Sequence, residues 1–389
     1  MNNFVYDIPV KVYFGENQLC HLAGELAKFG RRVLLTYGGG SIKRIGLYDR
    51  VMKELRDADL EVFELSGIEP NPRIESVREG IKICKRENID VLLAVGGGST
   101  IDATKFMAAG ACVDHDAWEF FGAKAKPIER ALPIVTILTL SATGSEMDTA
   151  GVISNLETKD KLGRLARPLL PRVSFLDPTN TYSVSAYQTA CGAADIMSHI
   201  MEEYFTTQQD LYMLDCMMEG MLKTVVKFAP LAIKEPENYE ARANLMWASS
   251  WAINGFINGG KSKAWSCHPM EHELSAIYDI THGLGLAILT PRWLEYCLDE
   301  STVDKYVSFG VNVFGIDATL PKMDIAHKAI ERLSDFFFKE LGLQSTFTEV
   351  GIKREDFKEM ARKACRYGDI KGFKRLTPED VERIFEMCL

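Results

Sequence analysis

The 389-residue chain has no long hydrophobic run, no block of consecutive basic residues and no C-x-x-C pair. Its apolar stretches fall short of the roughly 20 residues that a membrane helix needs, which excludes a membrane-spanning protein. With 45 Lys and Arg against 54 Asp and Glu, the formal net charge is −9. That balance argues against nucleic acid and anionic membranes as partners.

The cysteines do not show the pattern of a disulfide-bonded protein. The nine cysteines are odd in number and widely spaced, which predicts reduced and mostly buried thiols rather than disulfides. The first residues carry neither the basic nor the apolar segment of a secretion signal, so we expect a cytoplasmic protein. Hydrophobic residues at 47% and charged residues at 25% are typical of globular chains, and the length favours two domains.

The pattern of hydrophobic residues changes near the middle of the chain. In the first half, short β-branched runs alternate with amphipathic stretches, which predicts βαβ units and a mostly parallel sheet. The predicted strands lie at 32–37, 61–65, 90–95 and 133–138. From about Ser183 onward, apolar residues recur three and four apart, which predicts helices only. We therefore predict an α/β domain over 1–182 and an all-helical domain over 183–389.

Glycine and hydroxyl residues follow three of the predicted strands. The chain reads Gly-Gly-Gly at 38–40 and Gly-Gly-Gly-Ser at 96–99. Glycines at a strand-to-helix turn let backbone N–H groups approach a pyrophosphate. The segment 139–146 contains four hydroxyl side chains and one glycine, which suits a polar cradle at a strand end. A plain tight turn and a surface loop are the alternatives for these segments.

Most of the seven histidines lie in the helical half. Asp195 and His199 are four residues apart on one predicted helix, His268 and His272 repeat that spacing, and His282 follows ten residues later. Residues four apart share a helix face, so each pair can approach one cation. A carboxylate with several imidazoles suits Zn²⁺ or Fe²⁺ better than Mg²⁺ or Ca²⁺. Hydrogen-bonded helix histidines are the alternative, and the spacing does not say which imidazoles would be ligands.

Taken in order, these motifs resemble the iron-containing alcohol dehydrogenase family, and within it the butanol dehydrogenase-like branch of NADP-dependent aldehyde reductases. The resemblance runs from Phe-Gly at 14–15 and Pro-Asn-Pro at 70–72 to the histidine series. It implies an α/β dinucleotide-binding domain with a parallel sheet and an all-α metal-binding domain. This architecture is shared with dehydroquinate synthase, and the resemblance places the active site in the cleft between the domains.

The resemblance also implies roles for individual residues. Asp195, His199, His268 and His282 would hold one divalent metal, Fe²⁺ or Zn²⁺, and His272 would lie beside it and handle a proton. The positions that match cofactor contacts of the family are Asn71, Gly97, Gly98, Ser99, Asp102, Thr139, Ser141, Ser145, Lys161 and Asn180. Family members commonly form dimers, so a homodimer is expected.

The first glycine turn bears on the choice of cofactor. NAD-using members of the family carry a carboxylate after this strand, which accepts the ribose 2′-hydroxyl, whereas this sequence has Gly39 at that position. Backbone N–H groups of the turn and the Ser41 hydroxyl can donate to a 2′-phosphate, and Lys43 or Arg44 adds positive charge nearby. We therefore expect NADP(H) to be preferred over NAD(H), with Gly39 and Ser41 at the cofactor. A flexible turn that is indifferent to the 2′ position is the alternative.

The predicted function is a metal-dependent alcohol dehydrogenase or aldehyde reductase that transfers a hydride between NADP(H) and a short to medium aliphatic alcohol or aldehyde. The alternative is a relative of dehydroquinate synthase or of glycerol dehydrogenase that uses NAD(H). A dehydroquinate synthase-type site should carry basic residues around the metal, and the predicted metal helices are not basic. Trp251, Phe256, Ile257 and Trp265 are candidates for an apolar substrate pocket, although core packing explains them equally well.

Overall fold

A computed structural model of the chain describes residues 2–208, 210–261 and 265–389. The chain forms two compact units. The α/β unit contains Asp7–Val184 and Glu237–Asn254, and the helical unit contains the remaining segments. The predicted domain boundary between 182 and 183 stays a prediction. The segment Glu237–Asn254, which we had expected in the helical domain, belongs to the α/β unit because its contacts are made there.

The secondary structure consists of ten strands and fourteen α-helices within the described residues. The strands are β1 (Lys11–Phe14), β2 (Arg32–Tyr37), β3 (Glu61–Leu65), β4 (Val91–Gly96), β5 (Ile134–Leu138), β6 (Ala150–Asn155), β7 (Asp160–Leu165), β8 (Val173–Leu176), β9 (Ile370–Lys371) and β10 (Arg375–Leu376). The α-helices are α1 (Leu22–Leu26), α2 (Ser41–Arg44), α3 (Leu47–Asp57), α4 (Ile74–Arg86), α5 (Gly98–Gly110), α6 (Ala186–Tyr204), α7 (Tyr212–Lys234), α8 (Tyr239–Trp251), α9 (Cys267–Tyr278), α10 (His282–Cys297), α11 (Val303–Phe314), α12 (Lys322–Asp335), α13 (Phe357–Ala364) and α14 (Pro378–Met387). Short 3₁₀ turns lie at Gln18–His21, Ala117–Phe120, Ser145–Met147, Arg167–Leu169, Pro178–Thr181 and Arg354–Asp356, and a π-helical turn lies at Phe336–Glu340.

A six-stranded parallel sheet forms the centre of the α/β unit. Its strand order is β1-β8-β5-β4-β2-β3, and every neighbouring pair is parallel. Strands β4 and β5 are buried along their whole length, as expected for a parallel sheet with both faces covered. The predicted parallel sheet is therefore confirmed. Because all six strands run the same way, the loops that follow them meet at one edge of the sheet.

Small residues let α5 lie deep in this unit. The helix begins directly after β4, and almost every residue in it is buried. A Cβ added at Gly80 of α4 would lie 2.4 Å from Met107 Sδ, so α4 and α5 approach each other more closely than larger side chains would allow. This packing fixes the position of the turn that precedes α5.

The helical unit is built around α6, α9 and α10. Ser185 caps α6 by accepting a hydrogen bond from the Gln188 backbone N–H at 3.2 Å. A Cβ added at Gly283 would lie 2.0 Å from the Cys191 carbonyl oxygen, so the first turn of α10 packs directly against α6. This close approach brings the start of α10 beside the face of α6 that carries Asp195.

The predicted helical second half is confirmed, apart from one short strand pair. Strands β9 and β10 form an antiparallel pair of two residues each. Strands this short have no alternation that periodicity can detect. Within the described residues, no helix is long and apolar enough to cross a membrane. All nine cysteines are free thiols, and six of them are buried.

Candidate metal centre and dinucleotide cradle

Three elements of the helical unit converge on one carboxylate. Asp195 and His199 lie on α6, His268 lies in the first turn of α9, and His282 begins α10. The distances to Asp195 Oδ1 are 3.6 Å from His199 Nδ1, 3.9 Å from His268 Nε2 and 3.7 Å from His282 Nε2. The four side chains that the resemblance implied as ligands therefore lie together.

The donor set fits a divalent transition metal. Ligand atoms of Asp195, His268 and His282 all lie within 4.8 Å of one another. Within the described residues, the buried His199 Nδ1 and His268 Nε2 accept and donate no hydrogen bond, which is costly unless an ion or another group binds there. Ligands at 2.0–2.2 Å from one tetrahedral ion lie roughly 3.3–3.6 Å apart, close to the separations observed.

His272 lies next to this group without joining it. Its ring centroid is 6.4 Å from that of His268 and 5.9 Å from that of His282. The side chain is half-buried, whereas His199 and His268 are buried. Although His272 shares the four-residue spacing with His268, it is not among the residues whose ligand atoms lie together.

Two carboxylates that sequence reasoning missed hold the imidazoles. Glu202 Oε1 is hydrogen-bonded to Nδ1 of His268, and Glu271 Oε2 is hydrogen-bonded to Nδ1 of His282. Both glutamates are fully buried. A carboxylate at Nδ1 keeps the proton there and leaves the lone pair on Nε2, the atom that points to Asp195 in both rings.

Glu202 also anchors the start of α9. Its carboxylate accepts hydrogen bonds from the backbone N–H groups of Ser266, of Cys267 at 2.9 Å and of His268 at 3.2 Å. These groups lack partners inside a helix, and a negative charge is favourable at that end. The sequence feature that could have identified Glu202 is its spacing, since it lies three residues after His199 on the same face of α6.

The surroundings shift the pKa values of two of these histidines in opposite directions. Burial, together with the neighbouring imidazoles, lowers the pKa of His199 well below its usual value. Burial is the largest effect on His268 and acts to lower its pKa, but the charge and hydrogen bond of Glu202, together with the charges of Asp195 and Glu271, outweigh it and raise the pKa. The neutral form of His199 is the form that binds a metal.

The predicted cofactor residues gather at the carboxyl edge of the parallel sheet. Gly39 and Ser41 follow β2, and the turn at 97–99 follows β4. Further positions follow three other strands of the sheet, with Asn71 after β3, Thr139, Ser141 and Ser145 after β5, and Asn180 after β8. Lys161 lies instead in the separate antiparallel pair of β6 and β7. In open parallel sheets, ligands bind at this edge.

The second glycine turn is closely packed. A Cβ at Gly98 would lie 2.2 Å from Thr143 Oγ1, and one at Gly96 would lie 2.4 Å from Thr100 Oγ1. The Thr139 N–H donates to the Gly96 carbonyl at 3.1 Å. Glycine is therefore required at 96 and 98, and the packing brings the turn before α5 next to the hydroxyl-rich segment after β5.

Asp102 joins two of the predicted cofactor segments. Its carboxylate accepts hydrogen bonds from the Ser145 hydroxyl at 2.5 Å and from the Val152 N–H at 2.8 Å. Asn180 Oδ1 accepts a hydrogen bond from Arg50 at 3.1 Å. Asn71 has a left-handed backbone with φ of 50°, a conformation that asparagine tolerates better than most residues. The side chains of Asn71, Asn180 and Lys161 are all buried.

A buried ion pair beside Asp102 was not foreseen. Lys105 is fully buried, and its ammonium donates to Asp148 Oδ1 at 2.5 Å and to the Ala150 carbonyl at 2.6 Å. Burial raises the carboxyl pKa of Asp148 to about 7, against the opposing charge of Lys105. The pair ties α5 to the start of β6, which contributes the Val152 contact to Asp102.

The turn at Gly39 is exposed and has a cation nearby. Lys43 Nζ lies 5.1 Å from the ring centroid of Tyr37 and 4.5 Å from that of Tyr48. Both tyrosine hydroxyls donate to Glu64, at 2.8 and 2.9 Å. Lys43 thus lies against two aromatic rings next to the turn, and the hydroxyls of both rings are bonded to the Glu64 carboxylate.

Comparison with known proteins gives matches over nearly the whole chain. The family model described as iron-containing alcohol dehydrogenase matches residues 9–178, and the C-terminal model of the Fe-containing alcohol dehydrogenase family matches 189–389. NADH-dependent butanol dehydrogenase A of Clostridium acetobutylicum is 50% identical over 388 residues, which are 99% of each chain. NADPH-dependent aldehyde reductase YqhD of Escherichia coli is 36% identical over 95% of this chain and 94% of its own.

Solved structures show the same architecture. The crystal structure of NADH-dependent butanol dehydrogenase A from Thermotoga maritima superposes with a TM-score of 0.95 at 36% identity, covering 100% of this chain and 99% of that one. The structure of Escherichia coli YqhD gives a TM-score of 0.94 at 34% identity, with 100% and 99% of the two chains covered.

Proposed function

The chain belongs to the iron-containing alcohol dehydrogenase family, and from that premise we propose that it transfers a hydride between NADP(H) and a short to medium aliphatic alcohol or aldehyde. Membership establishes the activity class, an NAD(P)-dependent alcohol dehydrogenase or aldehyde reductase. The observation that carries the proposal is the group of three imidazoles around the buried carboxylate of Asp195.

In this proposal Asp195, His199, His268 and His282 hold one divalent metal, Fe²⁺ or Zn²⁺. When bound, the metal supplies Lewis acidity toward the substrate oxygen. Glu202 and Glu271 prevent two of the imidazoles from rotating, because each carboxylate is bonded to a ring Nδ1. The ligand atoms are thereby held in position before the ion arrives, which supports high affinity.

His272 is the proposed proton carrier. Its ring centroid lies 6.4 Å from that of His268 and 5.9 Å from that of His282. The side chain is half-buried, so a ring nitrogen can exchange a proton with water. An imidazole can take a proton from an alcohol and return it, as a general base and acid does.

The glycine turns and the loops at the carboxyl edge of the sheet are the proposed cofactor site. Backbone N–H groups at Gly97, Gly98 and Ser99 stand at the start of α5, where a pyrophosphate is favoured. Asp102, Thr139, Ser141, Ser145 and Asn180 supply polar groups from the same edge, with Asn71 and Lys161 as further contacts.

We propose that NADP(H) is preferred, although the butanol dehydrogenases of Clostridium acetobutylicum and Thermotoga maritima are named as NADH-dependent. The support is the lack of a carboxylate at Gly39 and the nearby ammonium of Lys43. The Escherichia coli aldehyde reductase is named as NADPH-dependent. Steady-state kinetics of the unchanged protein with both cofactors test this, and equal or better efficiency with NADH contradicts it.

The function is tested by mixing the purified protein, loaded with Fe²⁺ or Zn²⁺, with NADPH and butanal and following the loss of NADPH absorbance. Removal of the metal with a chelator should abolish the rate, and addition of the metal should restore it. The His199→Ala variant should lose most of its metal content and activity. His327→Ala is the matched control, since this histidine lies on α12 and is not part of the metal group. Full metal content and rate in His199→Ala would contradict the assignment.

We also propose a cytoplasmic homodimer. The free state of all nine cysteines supports a reducing compartment. Sedimentation at micromolar concentration tests the dimer, and a profile with monomer only would contradict it.

A further inference from the structure

A tryptophan packs against two of the proposed metal ligands. The ring centroid of Trp265 lies 4.4 Å from that of His268 and 5.4 Å from that of His199. The two imidazoles are themselves stacked, with centroids 4.6 Å apart and an interplanar angle of 21°. The three rings form one aromatic group, with the indole packed against both imidazoles.

A buried carboxylate holds this indole in place. Trp265 Nε1 donates a hydrogen bond to Glu203 Oε1 at 2.8 Å. Glu203 is only 2% exposed and lies in the last turn of α6, next to Glu202. Lys261 Nζ donates to the backbone carbonyl of Glu203 at 2.7 Å. Two neighbouring glutamates of α6 therefore hold the segment before and at the start of α9. Glu202 is bonded to His268, and Glu203 is bonded to Trp265.

The Glu203 carboxylate does more than accept the indole hydrogen bond, because its charge also interacts with that of Lys261. A buried indole N–H needs only one acceptor, and a backbone carbonyl or an amide side chain would provide it. Burying a carboxylate is far more costly than burying a neutral acceptor. A charged acceptor, however, makes a shorter and stronger hydrogen bond, which restricts the ring more tightly.

We propose that Glu203 and Trp265 are a positioning pair for the metal centre. Glu203 fixes the indole, and the electron-rich indole face stabilises the imidazoles of His199 and His268 when they share the positive charge of a bound ion. The inference rests on the proposed function, because it assumes that both histidines bind the metal.

The test uses Co²⁺ added to the metal-free full-length protein, with tryptophan emission and bound cobalt measured on the same samples. The chain has five tryptophans, and Trp265 should be the one most strongly quenched by the paramagnetic ion. Trp265→Phe should still bind Co²⁺, with affinity weaker by about two- to fivefold, and should lose most of the quenching. Trp118→Phe is the matched control, since Trp118 packs against Phe121 in the α/β unit, and it should keep the quenching.

Two variants of Glu203 distinguish positioning of the indole from a purely structural role. Glu203→Gln keeps a neutral acceptor for the indole N–H, so quenching and affinity should fall, but less than in Glu203→Leu. Glu203→Leu fills similar volume without an acceptor, so the indole is released and both quenching and affinity should fall. If Glu203→Leu does not fold, Trp265→Phe still decides the proposal.

The outcomes distinguish failure of the positioning role from failure of the metal site. Full quenching in Trp265→Phe, or unchanged affinity and quenching in a folded Glu203→Leu, would overturn the positioning role. Stoichiometric binding of Co²⁺ by the unchanged protein without quenching would also overturn it, while leaving the proposed function intact. Failure of the unchanged protein to bind Co²⁺ would contradict the metal centre itself.

Discussion

The proposed cofactor preference can be tested at a backbone position where a side chain can be added without strain. A Cβ built at Gly39 meets nothing within 4 Å, and its φ lies outside the left-handed region. Its neighbours differ, since a Cβ at Gly38 would lie 3.1 Å from the Ile68 carbonyl oxygen and Gly40 has a φ of +97°. Gly39→Asp should therefore fold normally and change only the charge at the turn.

The expected effect follows from the hydrogen bonds that a 2′-phosphate would make. One charge-assisted hydrogen bond from a backbone N–H to phosphate contributes about 1.5–3 kcal/mol, which is about 10- to 150-fold in affinity. An aspartate at 39 repels the phosphate and accepts a hydrogen bond from the 2′-hydroxyl of NAD(H) instead. The ratio of kcat/KM for NADPH to that for NADH should fall by about 100-fold or more, since both changes act in the same direction.

The assay is steady-state aldehyde reduction with each cofactor at fixed ionic strength. Gly39→Asn is the matched control, because asparagine has the shape of aspartate without its charge. It should lower the ratio much less than Gly39→Asp does, and added salt should narrow the difference between the two variants. Equal ratios for the two variants, or no change from the unchanged protein, would refute the electrostatic argument.

Three further predictions concern the metal centre and the buried ion pair. His272→Ala should keep its metal while kcat falls by about 10²–10⁴-fold with an altered pH profile, and loss of the metal would instead make His272 a ligand. Glu271→Gln should lower metal affinity by about 10- to 100-fold in equilibrium dialysis, and unchanged affinity would remove its orienting role. At about pH 8, where Asp148 is charged, Lys105→Met should lower the free energy of unfolding by about 3–5 kcal/mol, because it leaves this carboxylate buried without its cation. Burial raises the pKa of Asp148 to about 7, so the folded chain keeps a proton that the unfolded chain releases above about pH 4. Stability should therefore fall as the pH rises between these values, and in Lys105→Met the fall should continue to higher pH, because the carboxyl has lost the charge that opposes burial. Urea unfolding of the two proteins at about pH 5 and about pH 8 with equal losses would contradict this.

Local patterns were enough to predict four of the six strands of the parallel sheet and the types of the candidate ligands. The alternation of apolar runs with helical periodicity predicted β2 and β4 to within one residue, because buried parallel strands are apolar throughout. The four-residue spacing of Asp195 and His199 predicted a shared helix face, which α6 provides. These properties depend on neighbours along the chain, so the sequence carries them directly.

The sequence by itself therefore determined the parallel sheet with glycine turns after its strands and the helical half with a carboxylate and several imidazoles. Only the tertiary structure decided that Glu202 holds His268, that Glu271 holds His282 and that Trp265 covers two of the rings. It also separated His272 from the residues that surround Asp195, although its spacing from His268 is that of a ligand pair. Glu202 and His268 are 66 residues apart, and only the packing of α6 against α9 and α10 brings such groups within hydrogen-bonding distance. Spacing along a helix gives the direction of a side chain, whereas the partner that it meets depends on which helix packs there.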